Sequence, residues 1–253
     1  MKRIPCILLL AAIAFAAAAL PAKAAEKIRV LLVTGGHAFE KPQFFRLFED
    51  NAEIVFTAVE HPDAKDAAGK PDPFEVAIEP DAVQAFDVLV LYDMWQKISD
   101  SGKTNLIALL RQGKGLVSLH HSIANYQTWA EWENIIGGRY YLADKVVNGI
   151  QKKRCLWKHD VDVPVKIAAE HPVTAGLSDF TIHDETYKGY DVSPGVQVLL
   201  TTDEPTSNKE LAWAKTYEKA RVVYLQLGHD HRAYEDANFR RLVAHAIRWT
   251  AGR

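Results

Sequence analysis

The chain has 253 residues, 48% of them hydrophobic and 25% charged, enough to bury a sizeable core and too apolar to remain disordered. Its 30 Lys and Arg against 32 Asp and Glu give a formal charge of −2 without a basic stripe, which excludes a nucleic-acid surface and leaves a small molecule as the expected partner.

Taken in order, Lys2 and Arg3 precede an apolar run from Ile4 to Leu20, and Pro21-Ala22-Lys23-Ala24 supplies an Ala-x-Ala cleavage site. Residues 1–24 therefore read as a cleaved signal peptide, and residues 25–253 as a single domain working in the periplasm or outside the cell. The alternative, an uncleaved membrane anchor, fits poorly because the run is short and ends in small residues. Losing Lys2, Arg3 and Lys23 leaves 27 basic residues against 32 acidic ones, a formal charge of −5, and no membrane association is expected after cleavage. Cys6 departs with the peptide, so Cys155 is the only cysteine of the mature chain and no intrachain disulfide is possible.

The mature chain opens with a β-rich run, Ile28 to Val33, that breaks at Thr34-Gly35-Gly36-His37. Pro42 suits the first turn of a helix carrying Phe44, Phe45, Leu47 and Phe48 at helical spacing. Ile54 to Ala58 predicts a second strand, His61 to Pro80 a long loop, Val88 to Tyr92 a fully apolar strand, and Leu106 to Leu110 a helix. Gly113-Lys114-Gly115-Leu116-Val117-Ser118-Leu119-His120-His121-Ser122 then reads as a helix end, a buried strand and a polar turn. Strands alternating with helices imply a parallel sheet, whose ligands bind beyond the carboxyl ends of its strands.

After a helix with Trp129, Trp132, Ile135 and Ile136, closed by Gly137-Gly138, the alternation fails. Val161 to Ile167, Glu185 to Tyr190, Val196 to Leu200 and Leu211 to Ala214 predict antiparallel strands extending or flanking the sheet. The chain closes with a strand, Arg221 to Leu225, the turn Gly228-His229-Asp230-His231, and a helix with Phe239, Leu242, Val243, Ala246 and Ile247 on one face.

Candidate site residues cluster at strand ends. His120 and His121 follow the central strand; if they stay extended their side chains diverge, so at most one faces the crevice. His37 follows the first Gly-Gly turn, and His229, Asp230 and His231 follow the last strand, where Asp230 either orients an imidazole or caps the turn. In His183-Asp184-Glu185-Thr186-Tyr187, alternation puts His183, Glu185 and Tyr187 on one side and Asp184 on the other, bringing acid and base together. His61 and His171 precede prolines and read as turn residues, while His159 and His245 have no evident companions. Trp95 and several tyrosines in or near loops suit stacking on a sugar ring. His37, His120, Glu185 and His229 include suitable ligands for a divalent metal, but no recognised ligand pattern requires one. No Gly-x-Gly-x-x-Gly or P-loop indicates a nucleotide cofactor, and no cofactor is required by the sequence.

Thr34-Gly35-Gly36-His37, Gly113 to His120, His171-Pro172-Val173-Thr174-x-Gly176-Leu177, His183 to Tyr187, Leu227-Gly228-His229-Asp230 and the terminal Ile247-Arg248-Trp249 together resemble the ThuA-like, trehalose-utilisation family over nearly the whole mature chain. The resemblance implies an α/β fold of the class I glutamine amidotransferase-like (flavodoxin-like) kind, a parallel-rich sheet flanked by helices with additional antiparallel strands, and a link to carbohydrate metabolism. It departs from true glutamine amidotransferases in placing His120, not a cysteine, near the nucleophile turn, so an acyl-enzyme thiol is not expected. With histidines and one carboxylate instead of two catalytic acids, the expected chemistry is cleavage or isomerisation of a 3-keto glycoside such as 3-keto-trehalose. His120 and His229 are then candidate base and acid, Glu185 an orienting or metal-binding group, and Tyr187 a hydrogen-bond donor. His37, Trp95, His121, His183, Asp230 and His231 are candidate substrate contacts. The alternative is a non-catalytic sugar-binding protein.

Overall fold

Alternating apolar runs and amphipathic stretches become the following elements in a computed structural model that describes residues 26–62 and 70–253. The first half contains β1 (Ile28–Gly35), α1 (Lys41–Glu49), β2 (Ile54–Glu60), α2 (Pro73–Ala77), β3 (Val88–Asp93), α3 (Asp100–Arg111), β4 (Gly115–Leu119) and α4 (Glu131–Ile136). There follow β5 (Gly138–Arg139), β6 (Lys145–Val147), β7 (Ile150–Lys152), β8 (Leu156–Ile167), β9 (Phe180–Lys188), β10 (Asp191–Val192), β11 (Gln197–Thr201), β12 (Glu210–Tyr217), β13 (Ala220–Leu225), α5 (His231–Glu235) and α6 (Ala237–Thr250). The expected signal peptide lies outside the described residues, as do residues 63–69 of the expected long loop.

Nine strands form one sheet in the order β2-β1-β3-β4-β13-β12-β11-β8-β9. The first five are mutually parallel and each later pairing is antiparallel, as the two halves of the sequence pattern require. Successive side chains of β3 enter opposite layers. Val88, Val90 and Tyr92 pack with Phe44 and Phe48 of α1 and Phe239, Leu242 and Val243 of α6. Leu89 and Leu91 pack with Leu106, Leu109 and Leu110 of α3 and Trp132 and Ile135 of α4. Burial on both faces is why these strands read as continuous apolar runs.

The helix ends have local causes. Pro42 stands in the first turn of α1; Ser99 caps α3 by accepting from Gly102 N, with Asp100 in its first turn and Arg111 in its last. Asp236 caps α6 through Asn238 N and Phe239 N. The expected loop from His61 to Pro80 contains α2, capped by Asp72 and anchored by buried Phe74; five residues are too short to show a helical period. The β6–β7 hairpin was not expected either, although Asn148-Gly149, both at positive φ, is its turn signal. Among the described residues, no helix is long and apolar enough to cross a membrane.

Candidate functional site

Four adjacent parallel strands, β1, β3, β4 and β13, end on the same edge and deliver His37, Trp95, His120 with His121, and His229 there. Beyond β4 the chain does not stay extended. His120 adopts φ 51° and opens a 3₁₀ turn, His120–Ala124. This turn brings both neighbouring imidazoles to the same region, with ring centroids 5.3 Å apart, correcting the expected divergence. His121 lines the cavity described below, whereas His120 lies behind it, bonded to groups that line it.

His120 Nδ1 donates to the Gln226 carbonyl at 2.6 Å, so the neutral ring carries its lone pair on Nε2. Around that atom stand Tyr187 Oη at 2.8 Å, Glu185 Oε2 at 3.1 Å and His229 Nδ1 at 3.3 Å. His229 Nδ1 is also 3.4 Å from Glu185 Oε2. His229 is set by a pinned turn: the buried Asp184 carboxylate accepts from Gly228 N at 2.7 Å and from His229 N at 2.9 Å. Gly228 has φ +115°, and a Cβ there would meet Phe239 at 2.6 Å, so both backbone and space demand glycine.

Burial works to raise the Glu185 pKa, but the hydrogen bond and charge of His120, with the charge of His229, outweigh it and hold the carboxyl at about 2. His120 shows the reciprocal effect: burial favours its neutral form, and Glu185 and Asp184 outweigh burial and raise it. Burial and the neighbouring His120 lower His229 to about 4. The same two causes push His121 well below the ordinary histidine value. His121 is 3% exposed, and neither of its ring nitrogens has a partner among the described residues. His121 thus places two hydrogen-bonding nitrogens on the cavity wall.

A cavity of about 440 Å³ opens in front of these groups, within the range of small-molecule sites. Glu185, Tyr187, His229, His121 and His37 line it together with two β8 residues, Trp157 and His159. His159 was missed at the sequence level. Its Nδ1 lies 3.1 Å from Glu185 Oε1, and its ring is 4.5 Å from that of His229. The β8–β9 pairing shifts register between Lys158 and Val161, with Asp160 at φ 57°; this bulge accompanies the departure of His159 from simple alternation. Trp157, 53% exposed, stands on the rim.

Other expected contacts lie elsewhere. His183 shares a strand with Glu185 but bonds Asp162 at 2.7 Å outside the cavity; two residues of strand displace it by ~7 Å. Asp230 caps α5 and pairs with Arg232, the capping alternative, and His231 faces Glu40 at 2.9 Å. Trp95 lines an adjoining depression with Gly36, Lys41 and Glu60, and stacks on His61 at 4.6 Å. His61 is not a simple turn residue. It is buried between Asp72 and Asp93, 2.8 and 3.1 Å away.

Among the described residues, His120, Glu185 and His229 form the group placed to share a metal ion, with ligand atoms within 4.8 Å of one another. His37, expected as a further ligand, is not in that group; its Nδ1 donates to Ala38 O and its ring lies 6.4 Å from that of His229. Cys155 is buried beside Tyr140 and Tyr141, and burial pushes its thiol up to about 11. It has the character of an inert structural cysteine.

Residues 29–250 match the family model described as ThuA, trehalose utilisation. The fold is similar to that of a ThuA-like protein of Parabacteroides merdae, with TM-score 0.73 and 18% identity over 89% of this chain and 90% of that one. A ThuA-like protein of Bacteroides uniformis matches at TM-score 0.64 and 19% identity over 92% and 95% of the two chains. The cold-adapted β-galactosidase of Rahnella sp. R3 shares the fold at TM-score 0.55 and 12% identity, over 87% of this chain but 31% of that chain. No curated protein matches this sequence.

Proposed function

The chain belongs to the ThuA family, described by trehalose utilisation, and from that premise we propose that it is an exported enzyme that cleaves or isomerises 3-keto glycosides such as 3-keto-trehalose. The observation carrying this reading is the cavity's composition: several imidazoles around one carboxylate, Glu185. The next carboxylate along the strand, Asp184, is occupied with the backbone amides of Gly228 and His229 and does not line the cavity. Ordinary glycoside hydrolysis needs two carboxyl groups flanking the bond. Proton transfer next to a ketone needs one positioned base and donors for the developing oxyanion.

A ketone at C3 of the sugar acidifies the C2 proton. His159, with Nδ1 beside Glu185 Oε1 and Nε2 without a partner among the described residues, takes that proton. His121, on the cavity wall, donates toward the enolate oxygen; a neutral imidazole is a competent donor there. The C2–H electron pair becomes the C1–C2 double bond as the C1–O bond breaks. The His159 imidazolium then gives its proton to the departing glycosidic oxygen. Addition of water across the double bond completes net hydrolysis. Isomerisation begins with the same proton removal; the proton returns at C3 while the C2 hydroxyl proton passes to the C3 oxygen, leaving the ketone at C2. The base role expected of His120 or His229 is thus given to His159, which also faces the cavity.

Product analysis with 3-keto-trehalose and unoxidised trehalose tests the proposal. Turnover of the keto sugar that falls by about 10²-fold or more in His159→Asn is expected. Binding of sugar without turnover of either compound, unchanged in His159→Asn, would instead establish a non-catalytic sugar-binding protein.

A further inference from the structure

The geometry points to a binding site for a first-row divalent transition ion, formed by His120 Nε2, Glu185 Oε2 and His229 Nδ1. The three separations between these atoms are 3.1, 3.3 and 3.4 Å. Donors bound ~2.1 Å from one ion stand ~3.0 Å apart at an octahedral right angle and ~3.4 Å apart at a tetrahedral angle, so the triangle already has coordination dimensions. Two imidazole nitrogens and a carboxylate oxygen suit zinc, iron, cobalt or manganese better than calcium or magnesium, which favour all-oxygen shells.

The surrounding groups support the same assignment. His120 Nδ1–H is held by the Gln226 carbonyl at 2.6 Å, the outer-shell bond that fixes the ligating tautomer of metal-bound histidines. His229 is held through its own backbone, by Asp184. The second Glu185 oxygen stands next to His159 Nδ1 at 3.1 Å, leaving Oε2 to the triangle. Glu185 and His229 line the cavity, so the remaining coordination positions open toward a ligand, and His121, with neither nitrogen bonded among the described residues, stands on the same wall. The site is defined by its donors alone. On the reading of the preceding subsection, the ion would supply Lewis-acid stabilisation of the C3 enolate oxygen.

Metal binding is measured without any sugar. The full-length sequence is expressed, and the purified protein is stripped with chelator and titrated with Zn²⁺, Mn²⁺ and Co²⁺ by calorimetry; Co²⁺ is also followed by its visible absorption. One ion per chain is expected, with a Co²⁺ spectrum showing nitrogen and oxygen ligation. His229→Asn and Glu185→Gln should weaken it by at least ~100-fold, beyond typical outer-shell effects, while His231→Asn leaves it unchanged. His229 is partly exposed on a turn, and circular dichroism verifies that its variant folds. No stoichiometric ion, or equal affinity in folded His229→Asn and the parent, would overturn the assignment. These outcomes are separate from the sugar chemistry: a protein that binds the ion but turns over no keto sugar refutes only the proposed reaction.

Discussion

His61 provides a quantitative test of how the site edge is held. Its ring is buried between the Asp72 and Asp93 carboxylates, faces Phe74 and stacks on Trp95, while its backbone N–H bonds Thr34 at the end of β1. Burial would depress its pKa, but the hydrogen bonds its ring donates to both aspartates, with their charges, outweigh burial and raise it from 6.5 to about 9. At ~1.36 kcal/mol per pH unit this rise corresponds to about 3 kcal/mol of linked stability. Because the folded value is the higher one, the contribution is complete below pH ~6.5, declines as pH rises toward about 9, and is absent above it. His61→Gln removes the titration and leaves Asp93 buried with Asn125 as its remaining side-chain partner. The cost at pH 6 should be about 3–5 kcal/mol. Urea unfolding of both proteins from pH 6 to pH 10 should show the parent losing about 3 kcal/mol more than the variant. If His61→Gln does not fold, the parent's imidazole titration by NMR reads the same quantity. Parallel stability profiles, or a His61 titration near 6.5, would refute the clamp.

Gly228→Ala should cost about 2–3 kcal/mol in chemical denaturation, because its φ is unfavourable and the new methyl meets Phe239; it should also impair turnover by moving His229. Tyr187→Phe removes the hydroxyl 2.8 Å from His120 Nε2 and should lower kcat by roughly 10–100-fold in steady-state assays, with a smaller change in KM. Cys155→Ala should retain full turnover, and the parent thiol should react slowly with iodoacetamide at pH 8, since its pKa is about 11; inactivation by that variant would revive a thiol mechanism.

The parallel half of the fold was legible because strands buried on both faces produce uninterrupted runs such as Val88 to Leu91, and helices between them show one apolar face. The strand-end rule then found His37, His121 and His229 on the cavity wall. Alternation found Glu185 and Tyr187, but it specifies a side of a strand and not a position along it, and His183 lies one pleat repeat away among Asp160 and Asp162. His159 escaped because its placement accompanies a bulge, a register change that no period of two reveals. His61 escaped for a different reason: it follows β2 and Asp93 ends β3, 32 positions away, and it is the pairing of both strands with β1 that brings the two segments together. A local His-Pro pair says nothing about such a partner.

The fate of the substrate's C2 proton tests the proposed chemistry directly. 3-Keto-trehalose is incubated with the protein in D₂O and followed by NMR, with His159→Asn and unoxidised trehalose in parallel. Deuterium entering C2 during turnover of the keto sugar, absent from trehalose and strongly reduced in His159→Asn, is the predicted result. Cleavage of trehalose itself, with C2–H retained in every product, would contradict proton abstraction at C2.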